Sequence, residues 1–220
     1  MATTRIQTRR LDRSVARLDG KIVLPDHGGW NEARQAWNLA VDQRPAAVAF
    51  PESADDVIAV VELARAFGLR VAAQGTGHHA SPLGDLSDTV LVKTERMRRV
   101  LVDAPAGTAR IEAGVRSLEL VEAAAAHGLA TLAGSSPDVG VVGYTLGGGL
   151  SWLGRKHGLA ANSVHAVELV TADGRLVRAD HDTEPDLFWA LRGGGGDFGV
   201  VTALEVSLLP IRQVYAGILW

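Results

Sequence analysis

The chain contains no cysteine. That removes disulfide staples, thiolate metal sites, iron–sulfur clusters and a cysteine nucleophile together. It also has no basic block: 22 Lys and Arg stand against 25 Asp and Glu, for a formal charge of −3. A protein that holds nucleic acid by neutralising phosphates normally carries a basic stripe, so the composition argues against a nucleic-acid partner. No apolar run approaches the ~20 residues that cross a bilayer. Arg9-Arg10 is followed by no hydrophobic region, so the N-terminus matches neither a secretory nor a twin-arginine signal. The sequence reads as soluble and cytoplasmic, with no membrane partner.

What is present is a core-forming composition and a surplus of glycine. The 220 residues are 47% hydrophobic, and a folded chain near this length buries roughly 70% of its unfolded surface. The 25 glycines cluster: Gly75/Gly77, Gly140/Gly143, Gly147-Gly148-Gly149 and the run Gly193 to Gly196. Glycine serves where backbone must take positive φ or come close to something. Four clusters in one small chain point to a large ligand touched by main chain at several places.

Periodicity gives the organisation. Residues 1–40 read as a polar arm, broken by Pro25, Gly28 and Gly29, with one short helix at 31–38. A strand is predicted at 46–50. A capping-box-like Ser53-Ala54-Asp55-Asp56 opens a helix whose buried face is Val57, Val60, Val61, Ala64 and Phe67. A second strand at 69–73 runs into Gln74-Gly75-Thr76-Gly77-His78-His79. Strands follow at 89–93, 100–102 and 108–112, then a helix at 117–127. A glycine-rich loop spans 133–149, and a short helix spans 151–157. A strand at 164–171 turns through a two-residue Asp173-Gly174 hairpin into 176–178. A helix from Pro185 to Leu191 and a last strand at 200–208 complete the order. The fold class is α+β in two lobes, about 41–100 and 101–212. The antiparallel hairpin speaks against a single doubly wound parallel sheet.

Several ligand signatures are excluded. There is no Gly-Lys-Ser/Thr triplet for a P-loop. Gly75-Thr76-Gly77 is followed by polar loop residues and Pro82 rather than the helix that a dinucleotide fingerprint needs. Asp197-Phe198-Gly199 has no catalytic-loop companion. The seven histidines form no chelating spacing, and the adjacent pair His78-His79 is a poor chelate, so no metal site is expected. Neither Gly134-Ser135-Ser136 nor Gly149-Leu150-Ser151 has the second glycine of a hydrolase elbow. What remains is a glycine-rich turn suited to an anion such as a pyrophosphate, with a histidine at its end.

These stretches resemble the PCMH-type FAD-binding domain of the vanillyl-alcohol oxidase superfamily, and within it the berberine-bridge-enzyme-like oxidoreductases. Arg44-Pro45-Ala46-Ala47-Val48 with Asp55-Asp56-Val57 is similar to the opening strand and helix. Gln74-Gly75-Thr76-Gly77-His78 is similar to the first phosphate loop. Pro137-Asp138-Val139-Gly140-Val141-Val142-Gly143, Leu146-Gly147-Gly148-Gly149 and Arg155-Lys156-His157-Gly158-Leu159 resemble the second flavin loop. The stretch from Asp186 to Gly195, with Phe198-Gly199-Val200-Val201-Thr202, resembles the last.

The resemblance implies an FAD site formed by Gln74, Gly75, Thr76, Gly77, His78, His79, Ser136, Pro137, Asp138, Val139, Gly140, Gly143, Gly147, Gly148, Gly149, Gly158 and Val201. It implies a covalent bond from His78 to the 8α carbon of the flavin. A neutral imidazole, the main form above the ordinary histidine value of ~6.5, is a competent nucleophile there. Ser136 stands where bicovalent members carry cysteine, and a serine oxygen is a poorer soft nucleophile than a thiolate, so a single histidyl attachment is expected. Val139 is the candidate gate for dioxygen. The implied function is the FAD-binding module of an oxidase that passes hydride from an organic small molecule to FAD and then to dioxygen. The alternatives are an incomplete FAD-binding fragment, or a flavin subunit that needs a partner chain.

The resemblance places residues 213–220 at the start of a substrate domain that this chain lacks, and leaves the substrate and the catalytic base outside the sequence. It also implies that Val214, Tyr215, Ile218, Leu219 and Trp220 are exposed and available to a partner chain or to self-association.

Overall fold

The computed structural model describes residues 16–217. Two sheets account for its strands. The first is built from β1 (Ile22–Val23), β2 (Ala47–Ala49), β3 (Arg70–Gln74) and β4 (Thr89–Lys93) in the order β1-β2-β4-β3. β4 runs parallel to both β2 and β3, and β1 closes the edge antiparallel to β2. The second sheet is antiparallel throughout. Its strands are β5 (Val100–Asp103), β6 (Thr108–Glu112), β7 (Val164–Val170), β8 (Leu176–Asp180) and β9 (Val200–Ser207), in the order β5-β6-β9-β7-β8. The class is therefore α+β, as the sequence predicts.

Alternation explains how the first sheet is covered on both faces. Val90 and Val92 of β4 point to one side and Leu91 to the other, because successive strand residues face opposite ways. Val90 and Val92 join Ala47, Ala49 and the helix α1 (Ala54–Ala66) in one core cluster. Leu91 joins Val48, Phe50 and Leu86 in another. Burying each Val or Leu side chain contributes ~1.5–3 kcal/mol. Val170 and Val200 of the second sheet also belong to the α1 cluster, so α1 is wedged between the sheets and fixes one against the other. The second sheet's core gathers Ile111, Leu169 and Leu204 under three helices: α2 (Ser117–Ala125), α3 (Val141–Leu146) and α4 (Pro185–Leu191).

Several sequence expectations need correction. Residues 133–149 are not all loop, since α3 lies within them. Glycine disfavours helix, and α3 has Gly140 at its start, Gly143 inside and Gly147 at its end. Burial of Val141, Val142 and Leu146 overrides that local preference. The region read as an arm contains β1, a two-residue strand too short to leave a periodic pattern. Its helix covers only Trp30–Ala33, not 31–38. The rest of the predicted arm, residues 1–15, lies outside the described residues.

Phe67 is not on the buried face of α1. It caps the helix and is exposed. The predicted helices at 117–127 and 151–157 shorten to Ser117–Ala125 and Gly154–His157. The β7–β8 connection is wider than a two-residue turn. Thr171 N donates to Arg175 O at 3.0 Å, and Gly174 takes φ +81° at the end of the loop, the geometry of a three-residue hairpin.

The candidate FAD-binding site

The parallel strands of the first sheet aim β3 at the site. Its last residue, Gln74, is buried, and the chain then turns sharply through Gly75, Thr76 and Gly77. Gly77 sits at φ +84°, and a Cβ there would lie 2.8 Å from Cβ of Ala36 and 2.9 Å from Nε2 of Gln74. Only glycine fits: the turn is folded down on the Gln74 amide. Gln74 Oε1 accepts from Nε2 of Gln43 at 2.9 Å, whereas Gln74 Nε2 and Gln43 Oε1 are buried without a hydrogen-bond partner.

The segment 137–141 approaches from the second sheet. It is held along the start of α2 by Ser117 N to Val139 O (2.8 Å), Leu118 N to Pro137 O (2.9 Å) and Val141 N to Val115 O (2.9 Å). This brings Gly140 against the first turn: a Cβ on Gly140 would meet nothing nearer than Thr76 N, at 3.8 Å. Asp138 reaches His78, with Oδ1 3.6 Å from Nε2. Nδ1 of His78 shares a hydrogen bond of 2.7 Å with Thr76 Oγ1. His78 is partly buried, and its neighbour His79 is exposed.

Ser136 and Val139 line a cavity of about 210 Å³, together with Ser117, Ser135, Tyr144 and Leu150. Tyr144 donates its hydroxyl to Leu132 O at 3.1 Å, and burial pushes its phenol above the ordinary value.

The remaining glycines assemble behind α3. Gly148 O and Gly149 O accept from Ala161 N and Ala160 N at 2.9 and 2.8 Å. Gly193 N and Gly195 N both donate to Leu146 O, at 3.0 and 3.1 Å. The fourth glycine cluster is thus tied to the helix end from which the third begins. Gly158 ends the short helix Gly154–His157, and Val201 is buried in β9 among the core of the second sheet. The structure joins Gly75, Thr76, Gly77 and His78 to Asp138 and Gly140. It places Gly158 and Val201 in supporting elements rather than at that junction.

Three residues at this junction are absent from the sequence-based set. Trp37 lies flat on His78, Gln43 pairs with Gln74, and Lys93 holds the Trp37 segment by donating to Ala33 O and Gln35 O at 3.2 and 3.0 Å. A tryptophan in a polar stretch just before Arg44-Pro45 is the one local signal that could have drawn attention to this segment.

The residues present suit FAD. An orphaned amide N–H under a tight glycine turn is a donor for an anionic oxygen, and Gly140 packs on the first turn with a Cβ position 3.8 Å from Thr76 N, while Gly143 faces open space. When bound, such a group supplies hydride-transfer chemistry that the side chains lack. Fold and site together define an α+β flavin-binding domain.

Comparison with known proteins agrees. Residues 45–180 match the family model described as FAD binding domain. The chain is 36% identical over 205 residues to (R)-6-hydroxynicotine oxidase of Paenarthrobacter nicotinovorans, covering 92% of this chain and 45% of that protein. Among solved structures, a variant of Physcomitrella patens BBE-like 1 superposes with a TM-score of 0.84 at 30% identity, covering 90% of this chain and 44% of that one. Glucooligosaccharide oxidase from Acremonium strictum, described as carrying a 6-S-cysteinyl, 8α-N1-histidyl FAD, superposes at 0.79 and 35% identity, over 89% and 42% of the two chains.

The chain belongs to the FAD binding domain family, with the PCMH-type fold of the vanillyl-alcohol oxidase superfamily, and its relatives are berberine-bridge-enzyme-like FAD-linked oxidoreductases. It spans somewhat under half the length of those relatives. Among the described residues there are the two sheets and no third that could serve as a substrate domain. No described helix is long and apolar enough to cross a membrane.

Proposed function

We propose that this chain, through residues 41–212, is the FAD-binding module of an oxidase, attached to its flavin through His78. The observation that carries the reading is the junction of the first turn with the second loop. His78 closes a glycine turn under which the Gln74 amide nitrogen is buried without a hydrogen-bond partner, and it stands within 3.6 Å of Asp138 on the loop that ends at Gly140. Ser136, the position of the second attachment in bicovalent relatives, lines the neighbouring cavity. As an alcohol it leaves the attachment to the imidazole alone.

A flavin held here would supply acceptance of hydride from an organic substrate and reoxidation by dioxygen, and Val139, which borders the neighbouring cavity, would control the access of dioxygen. Leu150 and Trp152 beside Gly149 are exposed, as are Val214 and Tyr215 near the end of the described chain. These apolar side chains would be covered by the substrate-binding part of the whole protein or by a partner chain. Ile218, Leu219 and Trp220 of the same expected patch lie outside the described residues.

The test is to denature the purified chain in acid and look for flavin fluorescence in the protein band. Attachment is expected in the unmodified chain and in His79→Ala, and none in His78→Ala. Attachment that survives in His78→Ala overturns the assignment.

A further inference from the structure

Three separated parts of the chain converge on one imidazole. The Trp37 ring stacks on His78 with centroids 3.9 Å apart and planes 15° from parallel. Nε1 of Trp37 donates to Oδ2 of Asp138 at 2.7 Å, and Oδ1 of the same carboxylate lies 3.6 Å from Nε2 of His78. Trp37 is in turn pinned to the histidine's own turn, because its backbone N–H donates to Thr76 O at 3.0 Å. Nε2 of His78 is buried and has no hydrogen-bond partner.

Trp37 as a residue remains 57% exposed. An aromatic ring left that open contributes little to the core, so its contact with the imidazole needs another explanation. Stacking fixes the plane of the ring. A carboxylate beside one ring nitrogen selects the tautomer with the proton on that nitrogen and leaves the lone pair on the other. The carboxylate is itself aimed by the indole N–H, so the two residues act as one device.

We infer that Trp37 and Asp138 are positioning residues for flavin attachment. Trp37 fixes the plane of His78, and Asp138, by closing the 3.6 Å gap to a hydrogen bond, holds the proton on Nε2 during attachment, so that the lone pair of Nδ1 is the one that bonds. This rests on the attachment at His78 proposed above. For Nδ1 to react, the Thr76 hydroxyl rotates away. A bond then forms between Nδ1 and the 8α carbon, one C–H bond of that carbon breaks, and the Nε2 proton leaves through Asp138. The two electrons released enter the flavin ring and pass with two protons to dioxygen, giving hydrogen peroxide.

The test supplies FAD to the purified flavin-free chain in air and follows two quantities. One is covalent flavin after acid precipitation; the other is total FAD bound, measured before denaturation. Asp138→Ala and Trp37→Leu are expected to slow attachment per FAD bound tenfold or more, a ratio that a change in total binding by itself does not move. Trp37→Phe, which keeps a flat ring but not the N–H, should fall between, and Asp138→Glu should recover more of the rate than Asp138→Asn. Attachment at the unmodified rate in Asp138→Ala and Trp37→Leu overturns the positioning role and leaves His78 as the attachment site. A loss of total binding that matches the loss of attachment also overturns it, by reducing the two residues to parts of the binding surface. Attachment in His78→Ala, or none in the unmodified chain, overturns the attachment reading and this inference with it.

Discussion

Gln43 and Gln74 form a buried amide pair, Nε2 of the first donating to Oε1 of the second at 2.9 Å, and each keeps one amide atom unpaired. The pair ties the segment before β2 to the residue from which the first glycine turn springs. Gln43→Leu removes the donor to Gln74 Oε1 and is expected to cost roughly 1–3 kcal/mol, the penalty for a buried polar group left alone. Gln43→Leu combined with Gln74→Leu should cost less than the sum of the two single changes. Urea denaturation of the three variants measures the coupling, and strict additivity would deny it.

The glycines separate into two kinds that a sequence cannot distinguish. A Cβ on Gly149, at φ +72°, would lie 2.6 Å from Ala160 Cβ and 2.8 Å from the Tyr144 ring. Gly149→Ala should therefore destabilise the fold by on the order of 2–3 kcal/mol whether or not FAD binds. At Gly147 the nearest contact would be an ordinary 3.6 Å. Gly147→Val should lower FAD occupancy while the melting temperature of the flavin-free chain changes little. Equal losses at the two positions would make Gly147 a purely structural residue.

Val139 borders the cavity beside the second loop. Interiors pack to ~0.75 density with few voids, so a methylene added at this wall of the cavity is expected to narrow the approach at that one point rather than fill the space. Reduced flavin is expected to reoxidise quickly in air in the unmodified protein and markedly more slowly in Val139→Leu. Stopped-flow absorbance follows the reaction, and equal rates would remove Val139 as a gate.

Asp56 is a lowered carboxylate buried in the first turn of α1, and it is expected to shape the acid limit of stability. Burial pushes its carboxyl up, but hydrogen bonds from Lys21 Nζ (2.7 Å), Glu52 N (2.9 Å) and Arg17 Nε (2.9 Å) bring it below its ordinary value. Lys21 is raised, chiefly by the same hydrogen bond to Asp56. A depressed carboxylate contributes stability that is complete above its unfolded value near 3.8 and is lost as pH falls through its folded value. The raised lysine contributes stability that is complete below its unfolded value of 10.5 and is lost as pH rises through its folded value. Asp56→Asn is expected to cost roughly 1–3 kcal/mol at neutral pH and to flatten the acid limb of a melting-temperature profile. A profile of unchanged shape would show that other carboxylates set it.

Much of the fold was legible because its cause is local. Ser53 caps α1 by accepting from Asp56 N at 3.2 Å, as the S-A-D-D pattern predicts. The Asp56 side chain does not complete the box at Ser53: it accepts from Glu52 N, one residue before the cap, and from Lys21 and Arg17, charges far off in sequence. Strands β4 and β6 fall at the predicted 89–93 and 108–112, and β7 and β9 where alternation puts them. β1 and α3 were not legible, since one is two residues long and the other is built on glycines that argue locally against helix.

By itself the sequence determined that a glycine-rich turn ends in a histidine after a strand, that a second glycine-rich loop follows, and that no thiol can take part. Those are properties of composition and of residues near one another in the chain. Only the tertiary structure decided which of these meet. Trp37 and Asp138, 101 positions apart, share a hydrogen bond over His78, because α1 locks the two sheets together and brings the end of β3 under the loop that precedes α3. Contacts of that range depend on how the layers pack, and packing is a property of the whole core rather than of any stretch of residues.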